Sequence, residues 1–412
     1  MTDGPTPPAS PAVVLTAPRD GTPVPVTTAA GLGRAAALLA AGAGPVAVDA
    51  ERASGYRYTH RAYLVQLRRE GTGTILIDPV PFDDLAVIAE AIGGAEWVLH
   101  AASQDLPCLA DLGLLPSRLF DTELAARLAN LERVGLAALT EQLLGLALEK
   151  HHSAADWSTR PLPPSWLSYA ALDVELLVDL RDKLEAELIA QDKLGWAREE
   201  FEYLATGAGR PAPARPDPWR RTSGIHKVRG ARALARVRAL WNARDRVAAR
   251  RDSAPGRVLA DSAIIAAAEA DPANERDLLA IQGFGGRYVR RLAPVWLDAL
   301  QDARNLRDSE LPQQAVSDGP PPPHRWAERD PVAAGRLTRC RDAVARLATH
   351  HSLPPENLVS PDAVRRLAWT PPVEITAATV DEALIGAGVR AWQRGLLVAA
   401  LAQALVTPPA EA

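Results

Sequence analysis

Two acidic residues stand one residue apart in the apolar run GPVAVDAERASG, residues 44–55. Val46 and Val48 alternate with alanine, which predicts a β-strand whose side chains point to its two faces in turn. Asp49 and Glu51 would then share one face. Neighbouring carboxylates repel each other, and burying either one without a partner is costly or drives it to bind a proton. A bound cation would remove this conflict; the alternative is a strand end that runs into solvent.

Three later residues extend this candidate site. In VLHAASQDL, Asp105 begins a helix after an apolar strand, where a carboxylate either caps the helix or faces a site at the strand end. Tyr169 and Asp173 are four residues apart in SYAALDVELL and share one helical face. Four carboxylates and a phenol form an all-oxygen ligand set, which favours Mg²⁺ or Mn²⁺ over zinc. Two such ions can stabilise both oxygens of a phosphoryl transfer, so phosphodiester hydrolysis is the expected chemistry.

The elements that must position these residues alternate between short β-like and helical runs. AYLVQLRR, GTILIDPV and EWVLHAA are predicted as further strands, whereas PFDDLAVIAEAIGG and SQDLPCLADLG are predicted as helices. From DTELAARLANL onward the segment is predicted to be helical. This alternation predicts an α/β domain over residues 24–206, with a long closing helical stretch that covers the sheet.

Proline- and glycine-rich stretches divide the rest of the chain. Residues 1–23 are predicted to form a flexible tail, and residues 207–217 and 305–323 two linkers. Between and after the linkers, residues 218–304 and 324–407 form two helical segments of similar length, so the fold class is α/β plus all-α. Because linkers mark boundaries that few contacts cross, we expect the α/β domain to fold alone.

Composition argues against several classes of protein. The 412 residues are 47% hydrophobic and 23% charged, and no apolar run approaches the ~20 residues that span a bilayer, so no membrane contact is expected. Cys108 and Cys340 lack metal-ligand spacing and fit a reducing cytoplasm. The first 25 residues lack the basic start and apolar core of a signal peptide. A cytoplasmic protein is therefore expected.

Basic residues are concentrated in one stretch. The net charge of the chain is −4, but the segment 210–257 carries 14 Lys or Arg against Asp217, Asp245 and Asp252, or 14 − 3 = +11. Such a block predicts contact with phosphate groups, and a solvated arginine-rich helix face is the alternative.

The order of the acidic motifs resembles a known enzyme group. D-x-E, then H-A-x-x-x-D-L, then Y-A-x-x-D is similar to the DEDDy 3′-to-5′ exonucleases, which have a ribonuclease H-like fold. LIDP, FDTELAARL and DWSTRPLPPSWLSYAALDVELL make the chain resemble the ribonuclease D family over about residues 24–203. The resemblance implies an exoribonuclease that acts on RNA with a free 3′ end, such as a tRNA precursor, and releases nucleoside 5′-monophosphates.

The resemblance also implies roles for the five residues. Asp49, Glu51 and Asp173 would hold the ion that binds the nucleophilic water, and Asp49 would bridge to a second ion. Asp105 would hold that second ion directly or through water. Tyr169 would orient the attacking water, since a phenol with a pKa near 10 is a poor base at neutral pH.

The two helical segments resemble HRDC domains. V-L-x-D followed by E-R-D-L-L-x-I-x-G-x-G matches from Val258 through Gly285, and the preceding arginines would bind the phosphate backbone. LPPENLVSPDAVRRLAW and TVDEALIGAGVRAWQRGLL make residues 324–407 HRDC-like, with a degraded G-x-G. This second segment either packs on the nuclease to shape a substrate funnel or contacts RNA. We expect a monomer.

Other polar residues near the motifs are not expected to be catalytic. His100 is expected to pack or to hydrogen-bond near the site, and Asp121 and Glu123 to cap a helix. His151 and His152 are expected at the surface, with substrate contact as the alternative.

Three tyrosines follow Glu51 in the sequence. Tyr56, Tyr58 and Tyr63 either stack on a terminal base or pack against the sheet.

Two other functions remain open. A DNA 3′-5′ exonuclease would use the same carboxylates, because only contacts to the 2′-hydroxyl separate the two sugars. A non-catalytic RNA-binding scaffold is the other alternative, and the intact carboxylates argue against it.

Overall fold

The fold was derived from a computed structural model of the chain. It describes residues 12–148, 155–210, 216–313 and 319–406. His151 and His152, the first residues of the expected tail and parts of both expected linkers lie outside these ranges.

Within the described residues, five strands form a central mixed sheet and two short strands pair separately. The strands are β1 (Val13–Leu15), β2 (Ala43–Arg52), β3 (Ala62–Glu70), β4 (Gly73–Ile77), β5 (Glu96–Leu99), β6 (Arg118–Asp121) and β7 (Leu146–Leu148). The central order is β4-β3-β2-β5-β6. Strands β2, β5 and β6 run parallel, whereas β3 is antiparallel to both β2 and β4. The acidic strand β2 is therefore the middle strand of the sheet.

Helices cover both faces of this sheet. They are α1 (Ala29–Ala41), α2 (Ala86–Ile92), α3 (Leu106–Ala110), α4 (Thr122–Leu128), α5 (Leu136–Leu139), α6 (Pro164–Glu175), α7 (Leu177–Ala190) and α8 (Leu194–Gly207). Val46 and Val48 share an apolar core with Leu39 of α1, whereas Ala47 shares another core with Leu177 of α7. This alternation confirms the expected α/β domain, and it places Asp49 and Glu51 on the face that α6 and α7 cover.

The expected flexible tail is wrong for its described part. Val13–Leu15 forms β1, which pairs in parallel with Leu146–Leu148. The backbone N–H of Arg19 donates to the carboxylate of Glu175, at 3.2 Å from each oxygen, and the Arg19 guanidinium lies 3.3 Å from it. The β-branched pair Val13–Val14 supplies a strand signal that the surrounding proline-rich composition obscured.

The first helical segment has a core of its own. Its helices are α9 (Ala231–Arg251), α10 (Pro255–Val258), α11 (Asp261–Ala270), α12 (Glu275–Ala280), α13 (Arg287–Arg290) and α14 (Ala293–Arg304). Leu240, Phe284 and Trp296 are fully buried in this core. Gly283 has φ of +99°, and a Cβ there would lie 2.7 Å from the Cβ of Ala263. The first glycine of the G-x-G pattern thus allows a close approach that any side chain would block.

The second helical segment shares its core with the nuclease. Its helices are α15 (Trp326–Arg329), α16 (Pro331–His350), α17 (Pro355–Leu358), α18 (Pro361–Trp369), α19 (Ala377–Gly386) and α20 (Ala391–Val406). One continuous apolar cluster contains Leu128 and Leu188 of the nuclease together with Leu353 and Leu397. Of the two expected alternatives for this segment, packing on the nuclease is confirmed. The expectation that few contacts cross between the domains is wrong for this pair, because their apolar surfaces are buried against each other.

Polar and aromatic contacts cross the same boundary. The buried Lys193 donates from Nζ to the carbonyl oxygens of Leu128 and Ser352, both at 2.8 Å. The rings of Trp196 and Trp392 stack with their centroids 5.0 Å apart. These contacts fix the last domain against α8.

Two adjacent acids of α8 bind the start of α20. The carboxylate of Glu199 accepts from the backbone N–H groups of Ala391 at 2.6 Å and Trp392 at 3.2 Å. Glu200 is buried, accepts from the indole N–H of Trp392 at 3.0 Å and forms an ion pair with Arg390 at 2.9 Å. The nuclease therefore supplies the N-terminal hydrogen-bond acceptors of a helix in another domain.

Among the described residues, no helix is both long enough and apolar enough to cross a bilayer.

Candidate active site

Three of the expected site carboxylates meet between the sheet and α6. Asp49 and Glu51 project from the same face of β2, and α6 brings Asp173 over that face. One carboxylate oxygen from each residue lies within 4.8 Å of the other two. The spacing of the sequence motifs therefore corresponds to a real convergence of acids from distant parts of the chain.

The electrostatics of this cluster favour a cation. Burial raises the pKa of Asp49 to about 6, against an ordinary value of 3.8. Burial also raises the pKa of Glu51 and Asp173 well above their ordinary values, and the charge of Asp49 adds to both shifts. Three ionised carboxylates at this separation need a positive charge between them. Since the donor set is carboxylate oxygen without His or Cys, it fits a hard divalent metal ion.

The fourth acid lies at the margin of the cluster and pairs with an arginine. Asp105 follows a short 3₁₀ turn and is buried, with Oδ1 3.1 Å from Nη2 of Arg52 at the end of β2. Burial and the charge of Asp49 raise the pKa of Asp105 to about 8, although Arg52 opposes the shift. Asp105 is therefore within electrostatic range of the cluster, while Arg52 occupies one of its oxygens.

The phenol of Tyr169 belongs to the same site. It hydrogen-bonds Asp173, one turn along α6, and its ring centroid lies 6.5 Å from that of the buried Trp157. Burial and the surrounding carboxylates raise the pKa of the Tyr169 phenol above its usual range. The hydroxyl therefore stays protonated at neutral pH and can donate or orient, but it cannot act as a base.

Gln66 is a residue of this face that sequence reasoning missed. It lies on β3 directly opposite Asp49, so the two side chains point to the same face of the sheet. Its side chain is fully buried, and among the described residues neither amide atom has a hydrogen-bond partner. A buried amide without a partner is costly, and Gln66 lies on the face of the sheet that carries the carboxylates. The only sequence signal was a polar residue inside the apolar run AYLVQLRR.

Asp121 holds the turn that leads to Asp105. Its carboxylate accepts from the backbone N–H groups of Ala101 at 3.1 Å and Ala102 at 2.9 Å. Ala101 has φ of +58°, an uncommon conformation for a residue with a side chain. The same carboxylate caps α4 by accepting from Leu124 at 3.1 Å. The expected capping role of Asp121 is confirmed, and it extends to the second acidic motif.

The neighbouring polar residues have structural contacts. His100 hydrogen-bonds the hydroxyl of Thr122 at 2.9 Å, and burial lowers its pKa to about 4. This confirms the expected hydrogen bond near the site. Glu123 follows the cap and forms an ion pair with Arg127 at 2.6 Å, so its expected capping role is not what the structure has.

Arg160 of the D-W-x-x-R-P-L motif holds the loop before α6. Its guanidinium binds both carboxylate oxygens of Asp78, at 2.6 and 2.9 Å. It also donates to the carbonyl oxygens of Trp157 and Tyr63, both at 2.7 Å. Bidentate pairing gives this contact a fixed geometry, so the helix that carries Tyr169 is tied to the ends of β3 and β4.

The three tyrosines after Glu51 lie at a domain contact. The Tyr58 hydroxyl donates to Asp245 of α9 at 3.1 Å, and the Arg257 guanidinium lies 4.1 Å from the ring centroid of Tyr56. Tyr63 is buried on β3, which agrees with the expected sheet packing. The sequence offered no sign that Tyr56 and Tyr58 would contact the first helical domain.

Three segments of the chain match known family models. Residues 23–189 match the family model described as 3'-5' exonuclease, residues 233–300 the HRDC domain, and residues 319–405 the 3' to 5' exonuclease C-terminal domain. The second helical segment, expected to be HRDC-like, thus matches a different family description from the first.

Relatives and solved structures agree with this. Ribonuclease D of Gluconacetobacter diazotrophicus is 31% identical over 335 residues, covering 79% of this chain and 81% of the relative. A crystal structure of a protein from Bifidobacterium adolescentis is 40% identical, with a TM-score of 0.88, and covers 96% of this chain and 100% of that one. Escherichia coli ribonuclease D is 25% identical, with a TM-score of 0.68, and covers 93% and 98%.

Together the sheet, the acidic cluster and the appended helical domains define a 3′-5′ exoribonuclease. The chain belongs to the ribonuclease D family.

Proposed function

We propose that this exoribonuclease trims the 3′ ends of structured RNA, such as tRNA precursors, as a cytoplasmic monomer that uses two Mg²⁺ or Mn²⁺ ions. The observation that carries the proposal is the convergence of Asp49, Glu51 and Asp173 oxygens within 4.8 Å of one another. Similarity to Escherichia coli ribonuclease D, which is described as an exoribonuclease involved in structured RNA processing, supports the substrate class.

The site residues divide the tasks of this proposal. Asp49, Glu51 and Asp173 would hold one ion, and Asp49 and Asp105 would hold the other. Bound divalent cations lower the pKa of a coordinated water and stabilise the attacking and leaving oxygens. Tyr169 keeps its proton and hydrogen-bonds Asp173, so it would orient the attacking water at the terminal phosphodiester. The product of one turnover is a nucleoside 5′-monophosphate.

Much of the basic run is used within the first helical domain. Arg244 pairs with Asp261 at 2.6 Å, and Arg236 pairs with Asp271 at 3.2 Å. The charges of these arginines are compensated by acids of the same domain, so we assign them no phosphate contact.

A smaller set of exposed arginines supports RNA binding. They stand at the end of α9 and on α13, and Arg251 lies 4.5 Å above the ring of Tyr288, which joins the two elements. The exposed set is Arg246, Arg250, Arg251, Arg287 and Arg290. We assign phosphate contacts to this arginine cluster. Removing one contact should reduce the slope of log affinity against log salt concentration by about one.

Matched RNA and DNA substrates test the proposal. Purified protein is given a structured RNA with a single-stranded 3′ tail, or the DNA of the same sequence, with Mg²⁺ or Mn²⁺. We expect 3′-end shortening of the RNA with release of 5′-monophosphates, and slower action on DNA. Faster degradation of the DNA would favour the repair-type exonuclease. Binding without cleavage in either metal would favour the scaffold.

A further inference from the structure

A loop beside the acidic strand is held by the first helical domain. We call residues 53–61, which connect β2 to β3, the docking loop. It begins two residues after Glu51, and its backbone and side chains form several polar contacts with the end of α9 and with α10. The segment that follows the metal-binding pair is therefore shaped by a different domain.

Asp252 is the centre of this contact. Its Oδ1 accepts from the backbone N–H groups of Tyr58 at 3.2 Å and Thr59 at 2.9 Å, and from the Thr59 hydroxyl at 2.9 Å. Its other oxygen accepts from the Tyr63 hydroxyl at 3.4 Å. Asp252 has φ of +45° at the end of α9, a conformation that Asp tolerates better than most residues. One carboxylate thus gathers four donors from the nuclease.

Two further hydrogen bonds join the helical domain to the docking loop. The Ala254 N–H donates to the carbonyl oxygen of Tyr56 at 2.9 Å. The Nε–H of Arg257 donates to the carbonyl oxygen of Gly55, also at 2.9 Å. Because the helical domain binds the loop from Gly55 to Thr59, the conformation of the loop depends on more than its own short-range hydrogen bonds.

The docking loop also contacts the second half of the active site. Nε–H of Arg57 donates to the hydroxyl of Ser158 at 2.8 Å. Ser158 belongs to the loop that Arg160 holds, and that loop leads into the helix of Tyr169 and Asp173. Contacts therefore connect the helical domain to both elements that hold the site residues, β2 and α6.

We propose that Asp252 is a positioning residue for the nuclease, through which the first helical domain aligns the β2 carboxylates with α6 in addition to binding RNA. This rests on the proposed catalytic role of Asp49, Glu51 and Asp173. Displacement of catalytic groups by about 1 Å can lower the rate about 100-fold, so the position of a loop next to the acids should affect kcat.

Substitutions at Asp252 test this without imposing backbone strain. Asp252→Gly keeps the left-handed conformation and removes the carboxylate, whereas Asp252→Asn keeps the conformation and one acceptor oxygen. Asp217→Gly is the matched control. Asp217 has φ of +49° in the same domain, and its carboxylate accepts from Trp219 and Arg220 of that domain. Thermal unfolding of all variants checks that the helical domain stays folded.

The assay uses an oligoribonucleotide of about three nucleotides, which has few phosphates for the arginine cluster to bind. We expect Asp252→Gly to lower kcat by at least about tenfold with a smaller change in KM, Asp252→Asn to recover part of the rate, and Asp217→Gly to behave as wild type. Hydrogen exchange of the Tyr58 and Thr59 amides should accelerate in Asp252→Gly.

The outcomes separate this inference from the proposed function. Wild-type kcat in Asp252→Gly would overturn the positioning role. A rise in KM alone would overturn it too, because Asp252 would then only support RNA binding. If the wild-type protein itself fails to cleave the RNA, the proposed function fails instead.

Discussion

Trp196 of α8 and Trp392 of α20 stack with their ring centroids 5.0 Å apart, and through them the nuclease joins the last helical domain. Their contact lies within an apolar core that both domains build. The two domains therefore share one apolar core, although stretches rich in Pro and Gly separate them in sequence from the domain between.

Truncation after residue 206 should give an unstable nuclease. It removes the apolar partners of Leu128 and Leu188 and leaves Lys193 without the Ser352 acceptor. We expect a lower thermal midpoint and binding of a hydrophobic dye, compared with the full chain by calorimetry and fluorescence. A truncated protein with the full-length midpoint and no dye binding would show that the shared core contributes little.

Asp49→Asn should separate activity from stability. The substitution removes a proposed metal ligand, so hydrolysis of 3′-labelled RNA should fall by more than about 100-fold. In metal-free buffer at neutral pH, the variant should unfold at a higher temperature than wild type, because one member of the repelling cluster has lost its charge. Residual activity close to wild type would contradict the metal assignment.

Metal binding should stabilise the protein more as the pH rises. The folded-state pKa of Asp49 is about 6 and that of Asp105 about 8, both above their ordinary values. On raising the pH the unfolded chain loses these protons first, so the metal-free protein should lose stability between about pH 4 and pH 8. Divalent cations bind the ionised acids, and the increase in Tm on adding Mg²⁺ should grow across the same range. Thermal scans with chelator or Mg²⁺ measure both trends; a pH-independent increase would argue against binding at these acids.

Tyr169→Phe should lower turnover by about 100-fold with little loss of RNA affinity. The phenol donates within the site and stays protonated, so its removal affects the water and not the RNA backbone. Single-turnover cleavage and RNA binding, measured on the same variant, give the two quantities. Equal losses in both would reassign Tyr169 to substrate contact.

Gln66→Leu should weaken metal binding while preserving the fold. Leu replaces an amide whose two polar atoms have no partner among the described residues, so stability in chelator should be equal or higher. If the amide steadies the ionised Asp49 opposite it, Mn²⁺ affinity should fall about tenfold. Calorimetric titration measures the affinity, and an unchanged value would leave Gln66 as a packing residue.

The acidic cluster could be predicted from sequence because each acid sits in a short motif. Alternation in β2 placed Asp49 and Glu51 on one face, and helical spacing placed Tyr169 beside Asp173. The Arg52–Asp105 ion pair has no such signal, since it depends on how the end of β2 meets a turn more than fifty residues later.

The contacts between domains could not be predicted in the same way. Asp252 and Thr59 are almost two hundred residues apart, and neither belongs to a motif or to a periodic apolar pattern. The composition of the linkers suggested independent domains. This inference failed for the last domain because linker composition describes only the connecting chain and carries no information about the surfaces that come into contact. Within the nuclease, by contrast, both β1 and Gln66 had a local signal, a pair of valines and a polar residue in an apolar run.

Glu199 and Glu200 give the chain a direction of assembly. They complete the first turn of α20 from a position 192 residues earlier, so that helix lacks its acceptors until α8 has formed. A ribosome releases the N-terminal segment first. Helix α8 thus offers the acceptors against which the first turn of α20 can close, and the order of synthesis matches the order in which these contacts can form.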